Sequence, residues 1–126
     1  MPRELTSHMV NGCNENLQVL ACDGPGPGGA SHHYQIINVA NQNRGEDYVV
    51  ADLEFQNGPI KEVGTNGLTH EALLAILIDR LEGFQSGPYK CEENGDALTY
   101  LELAQRRLQS RTLARIARGV EGTHAV

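Results

Sequence analysis

The spacing of apolar and polar positions divides the chain into a strand-like first half and a helical second half. Residues 1–15 are polar and Asn-rich with little periodicity, and read as an arm or a short first element. Leu17, Val19 and Cys22 give residues 16–22 the pattern of a short strand. Residues 33–39 read as a second strand. Residues 48–55 (YVVADLEF), β-branched and alternating towards their end, read as a third. Four glycines and two prolines between Asp23 and Ser31 exclude helix and regular strand there, and residues 41–47 form a polar turn region. Asn57-Gly58 is a hairpin signal, so residues 59–63 are predicted as a return strand, with Pro59 tolerated at its start.

The period changes after Gly64-Thr65-Asn66-Gly67. Thr69 suits an N-cap and Glu71 the first turn of a helix over residues 70–82. Leu73, Leu74, Ile76, Leu77, Ile78 and Leu81 surround much of this helix, which predicts burial on more than one side, and Gly83 is expected at C′. Residues 84–88 link it to a second helix over residues 89–118, with Pro88 near the first turn and Gly119 as the stop. At ~1.5 Å per residue that helix would span about 45 Å. A globule of this mass is only about 30 Å across, so a second subunit is the simplest cover for the excess. The expected fold is α+β: a small N-terminal antiparallel β-sheet followed by a C-terminal two-helix hairpin with a long second helix. It is expected as a single domain over 1–126, with a β-rich part over 1–64 and the hairpin and a short tail over 65–126.

Composition narrows the function. The 126 residues carry a net charge of −6, which argues against coating duplex nucleic acid or an anionic membrane surface. No run approaches the ~18–20 apolar residues of a membrane span, and the N-terminus lacks the apolar core of a signal peptide. Three cysteines without metal-ligand spacing argue against a disulfide framework and fit a reducing cytoplasm. The charge is uneven: residues 1–103 hold 5 Lys and Arg against 15 acids, whereas residues 104–126 hold 5 Arg against Glu121 alone. Arg107, Arg111, Arg115 and Arg118 fall within a helical sector about 80° wide. Leu98, Leu101, Leu108, Thr112 and Ile116 form a separate packing seam. The stripe is either a phosphate-binding set, for which guanidinium forks are suited, or a solvated face.

Other candidates carry open alternatives. The Gly/Pro loop is an anion nest or a strand connection, and it is neither a Walker loop nor a dinucleotide fingerprint. His32 and His33 point to opposite faces of a strand and cannot serve one metal from it. Cys91, at a helix start, is a packed thiol or a reactive one. Phe84 and Tyr89 bracket the inter-helix link, to stack on a base or to pin the helices. No metal-ligand or nucleophile signature is present, so no metal, cofactor or enzymatic activity is expected.

Two stretches resemble a known family. One runs from Asn66-Gly67-Leu68-Thr69-His70-Glu71 through Gly83-Phe84-Gln85-Ser86-Gly87-Pro88. The other runs from Arg111 to His124 and contains Arg118-Gly119-Val120-Glu121-Gly122-Thr123. Together they resemble the C-terminal helical hairpin shared by the first type of Thoeris anti-defence protein and the second type of anti-CBASS protein, from phages and prophages. The Gly-rich loop followed by His32 and Tyr34, and Phe55-Gln56-Asn57-Gly58-Pro59-Ile60, are similar to the Thoeris type.

The resemblance implies a sponge in the cytoplasm of the infected bacterial host. It would sequester cyclic nucleotide immune signals without cleaving them: cyclic ADP-ribose isomers of the glycocyclic kind and, in some members, cyclic trinucleotides. It also implies a homo-oligomer, dimer or hexamer. By motif, Phe84 would stack on a base, Asn94 would hydrogen-bond to the ligand, and Arg111 and Arg115, with Arg118, would hold phosphates. Thr123 and His32 would close the pocket. Gly95 departs from the pattern by interrupting the helix start beside Asn94, at a cost of roughly 1 kcal/mol against Ala. The alternatives are a hydrolase or lyase of the same signals with His32 as general base, and an oligomeric phage structural or regulatory protein.

Overall fold

A computed structural model describes residues 2–40 and 48–123. The turn expected at residues 41–47 and His124 of the terminal motif lie outside the described residues. The chain divides after Asn57 into two compact units.

In the first unit, strands β1 (Arg3–Leu5), β2 (Leu17–Ala21), β3 (His33–Asn38) and β4 (Tyr48–Glu54) form an antiparallel sheet in the order β1-β2-β3-β4. A four-residue helix, α1 (Gly12–Glu15), precedes β2, with the Asn11 side chain capping it. The pairing Leu5↔Val19↔Ile36↔Ala51 and Ala21↔Tyr34↔Leu53 puts these apolar residues on one face. Glu4, Leu20, Gln35 and Asp52 share the other, where His33 pairs with Glu54. The register shifts at Ile36/Ile37, where Val50 is the extra residue on β4. Tyr34 meets Phe55 edge-on at 5.7 Å, extending the apolar side past the end of β4.

The Gly/Pro loop is a connection. Its one regular piece is a short 3₁₀ turn at Pro27–Gly29. Its anchor is Asp23, whose carboxylate accepts the backbone N–H groups of His32 and His33 at 3.0–3.1 Å. Ser31 Oγ donates to the Asp23 carbonyl. The two amides that follow the loop thus hold the Asp23 carboxylate, and those bonds lower the Asp23 pKa.

On the polar face His33 Nε2 lies 2.6 Å from Asp52 Oδ1, which also accepts from Gln35. The hydrogen bond to Asp52 raises the His33 pKa above 6.5. The same bond lowers the Asp52 pKa below 3.8. Protonated His33 therefore stabilises fully below pH 6.5, and its contribution is lost as pH rises through the raised value. Ionised Asp52 stabilises fully above pH 3.8, and its contribution is lost as pH falls through the lowered value. The pair is thus expected to strengthen the sheet most between pH 3.8 and 6.5. Urea midpoints across about pH 3–8 should show this maximum. Asp52→Asn should flatten it, and an unchanged profile in that variant would exclude the pair as its source.

The second unit opens on a helical turn and not on the expected return strand. Residues 59–63 do not return as a strand; Ile60–Val63 is a single helical turn, α2, after Pro59. Gly58, at φ +95°, turns the chain, and a side chain there would start 3.1 Å from Val63 Cγ2. Pro59 has no N–H for a sheet ladder, and its fixed φ suits the start of a helical turn. Gly64, at φ +72°, ends that turn.

Helix α3 (His70–Gln85) is capped by Thr69 Oγ1, which accepts from the Ala72 N–H. It passes through Gly83, which is not at C′. Ser86 ends it instead, its hydroxyl donating to the Glu82 and Gly83 carbonyls. Helix α4 (Glu92–Ala117) starts three residues later than expected, with Cys91 as N-cap, because residues 87–90 are used in the turn. At its end Val120 N–H reaches back to the Arg115 carbonyl and Gly119 takes φ +75°.

The two helices run antiparallel. Gln85 bonds to Cys91 at one end, and Gln105 Nε2 donates to the Glu71 carbonyl at the other. Leu98, Leu101, Leu108 and Thr112 are half-buried as expected of a seam, but Ile116 is exposed. Gln105 already lies opposite Glu71, near the start of α3, so the seam runs out before Ile116. Helix α3 is also covered on one side only: Ile78 is buried, whereas Ile76 is 64% and Leu77 46% exposed. Among the described residues the buried apolar side chains are Ala21 and Ile78.

Candidate ligand-binding site

The Gln85 side chain ties the end of α3 to the start of α4. Gln85 Nε2 donates to the Cys91 carbonyl and Gln85 Oε1 accepts the Cys91 N–H, both at 3.0 Å. Cys91 Sγ then accepts from the Asn94 N–H at 3.4 Å. Gly95 does not interrupt α4. A methyl group there would lie 3.1 Å from Gln85 Nε2, so the glycine leaves room for the lock that positions Asn94. The expected helix-propensity cost is real but buys this contact.

Phe84 sits just before the lock, half-buried, with Tyr89 edge-on at 6.4 Å. Arg80, one turn earlier, places its guanidinium 5.0 Å from the centre of the Phe84 ring. Phe84 thus packs on Tyr89 of the link and also borders an open groove. That groove, about 520 Å³, is lined by Ile76, Asp79, Arg80, Gly83 and Phe84. Sequence reasoning did not single out Arg80. Its spacing of four from Phe84 on one helix face was the available signal.

The arginines lie at the other end of the hairpin. Arg107, Arg111 and Arg118 are exposed, as a stripe beside the seam should be. Arg115 is half-buried and engaged with the tail. Its Nε lies 3.3 Å from the Glu121 carboxylate, and one terminal nitrogen donates to the Val120 and Thr123 carbonyls at 3.1 and 3.2 Å. Thr123 Oγ1 in turn donates to the Val120 carbonyl. The structure thus brings Arg115 and Thr123 together at one end, and Phe84 and Asn94 to the other. His32 belongs to the sheet unit, where its ring lies against Gly26.

Asn94 and Arg111 lie seventeen positions apart on one continuous helix, about 26 Å at ~1.5 Å per residue.

Residues 48–112 match the Acb2/Tad1 hairpin domain. The chain belongs to the Acb2/Tad1 hairpin family. The matched region holds Phe84, Asn94 and Arg111, whereas His32, Arg115, Arg118 and Thr123 fall outside it. The chain is also similar to Thoeris anti-defense 1 of Bacillus phage SBSphiJ7, with 48% identity over 75 residues. Those residues are 60% of this chain and 53% of the relative, so the chain spans about half the length of the curated relative it matches. No described helix of this family member is long and apolar enough to cross a membrane.

Proposed function

We propose that this protein is a phage anti-defence sponge acting in the host cytoplasm. It binds cyclic ADP-ribose isomers of the Thoeris type, holds them uncleaved, and so withholds the signal. Family membership and the name of the Bacillus phage relative support the anti-defence role. Cyclic trinucleotides are the second ligand class to test.

The observation that carries the mechanism is the distance along α4. One ring-sized nucleotide cannot reach both Asn94 and Arg111 of the same straight helix. The site is therefore shared between copies: the link end of one hairpin, with Phe84 and Asn94, meets the arginine end of another. Phe84 stacks on the adenine, which is worth about 1–3 kcal/mol. Asn94 hydrogen-bonds to the base or ribose, and Arg111, Arg115 and Arg118 hold the phosphates through charge-assisted bonds. The scarcity of buried apolar side chains among the described residues supports such an assembly. Tyr100 is 70% and Leu103 46% exposed on α4, for example, and large exposed apolar surfaces mark interaction sites.

Calorimetric titration with glycocyclic ADP-ribose isomers and cyclic trinucleotides tests the proposal, followed by heating and chromatography of what is released. Tight binding with intact ligand recovered is the expected result, and mass measurement of the complex distinguishes dimer from hexamer. Recovery of altered ligand would favour a hydrolase or lyase. Absence of binding to any of them would leave an oligomeric phage structural or regulatory protein.

A further inference from the structure

The tail after α4 is held at several points, on α2 and on Arg115. Gly119 and Gly122, at φ +75° and +81°, bend residues 119–123 back over the helix end. Lys61 N–H of α2 donates to the Gly122 carbonyl at 3.1 Å. A side chain at Gly122 would start 3.1 Å from Lys61 Cγ, so the tail and α2 are in close contact. The fold thereby carries Glu121 to the Nε edge of Arg115, while two tail carbonyls take a terminal nitrogen of the same guanidinium.

We propose that Glu121 is a positioning residue for ligand binding: its carboxylate against Arg115 Nε fixes the guanidinium before the ligand arrives. This rests on the sponge reading above and deepens it. A free arginine loses side-chain freedom when it grips a phosphate, which weakens binding. An arginine already held along one edge has lost that freedom during folding. Glu121 also offsets some of the Arg115 charge, which acts in the opposite direction. The pair is partly exposed, with side chains 21% and 36% accessible, so solvent and salt screen that repulsion while the geometric hold remains. Orientation therefore outweighs charge. Removing the carboxylate should weaken ligand binding even though the site becomes more positive.

The test is a double-mutant cycle on the full chain, with a glycocyclic ADP-ribose isomer as probe and calorimetric Kd as readout. Glu121→Ala, which removes the acceptor itself, is expected to weaken binding about three- to tenfold. Arg115→Ala should weaken it more, and the double variant should bind no worse than Arg115→Ala alone. In the ligand-free protein, Arg115 Nε–H should exchange with solvent more slowly in the wild type than in Glu121→Ala, by nitrogen-15 NMR. Additive losses, or equal or tighter binding by Glu121→Ala, would overturn the role while leaving the sponge intact. A wild-type chain that binds no probe would remove both the sponge and this role. Unchanged Nε–H exchange in Glu121→Ala would overturn the hold itself, whatever the ligand result.

Discussion

Phe84→Ala chains and Arg111→Ala chains, each impaired alone, are expected to recover part of their ligand binding when unfolded and refolded together. The single losses follow from the chemistry of each end. Removing a base stack costs about 1–3 kcal/mol, and removing a charge-assisted hydrogen bond costs about 1.5–3 kcal/mol. Each variant should thus bind roughly tenfold or more weakly, at every site of its own homo-oligomer. Recovery follows from the geometry. In a symmetric pair, each site takes its link end from one chain and its arginine end from the other. A mixed pair concentrates both defects in one site and leaves the other intact. With random pairing roughly a quarter of the sites should regain wild-type affinity. Titration of the mixture should show this as a tight phase of reduced stoichiometry. A mixture that binds only as weakly as its components would place the whole site within one chain and refute the shared arrangement.

Ile78→Ala is expected to have the largest effect on stability. Ile78 is 9% exposed and is the buried apolar side chain of the helical unit among the described residues. Truncating a buried isoleucine costs about 2–5 kcal/mol, against a total stability of about 5–15 kcal/mol for a domain. Ile76 provides the contrast, since it is 64% exposed in the single chain. By that exposure alone Ile76→Ala should change stability by about 0.5 kcal/mol or less. If a second copy covers it, the cost rises and the denaturation midpoint of the wild type depends on protein concentration. Urea denaturation of both variants at two protein concentrations separates these cases. A small Ile78→Ala effect at both concentrations would show that α3 and α4 are not held together through that residue.

Much of this architecture is legible in the sequence because it rests on local signals. Alternation located β2, β3 and β4, Thr69 marked the start of α3, and Gly119 marked the end of α4. What escaped depends on partners distant in the chain or on competition between two local signals. Asn57-Gly58 is a turn in either case, and the pattern of residues 59–63 cannot reveal that Pro59 starts a helical turn. Gly83 looks like a stop until the Ser86 hydroxyl is seen taking the carbonyls. Gly95 looks like a defect until Gln85 is placed beside it. The arginine stripe was legible from spacing, and exposure of Arg107, Arg111 and Arg118 agrees with it. That Arg115 would be drawn into the tail was not legible, because it depends on two glycines at positive φ bringing Glu121 back.

The 26 residues of α4 also act as a ruler. If the proposed site is shared between copies, with base recognition at one end and phosphate recognition at the other, the helix length sets the separation between the two sites of a pair. Removing one turn from its middle would draw the ends together by about 5.4 Å. The change would occur in both chains at once, so neither site could compensate for the other. Substitutions on the outer face of α4 leave this spacing alone, whereas insertions and deletions do not. Length, more than composition, is what the middle of this helix has to preserve.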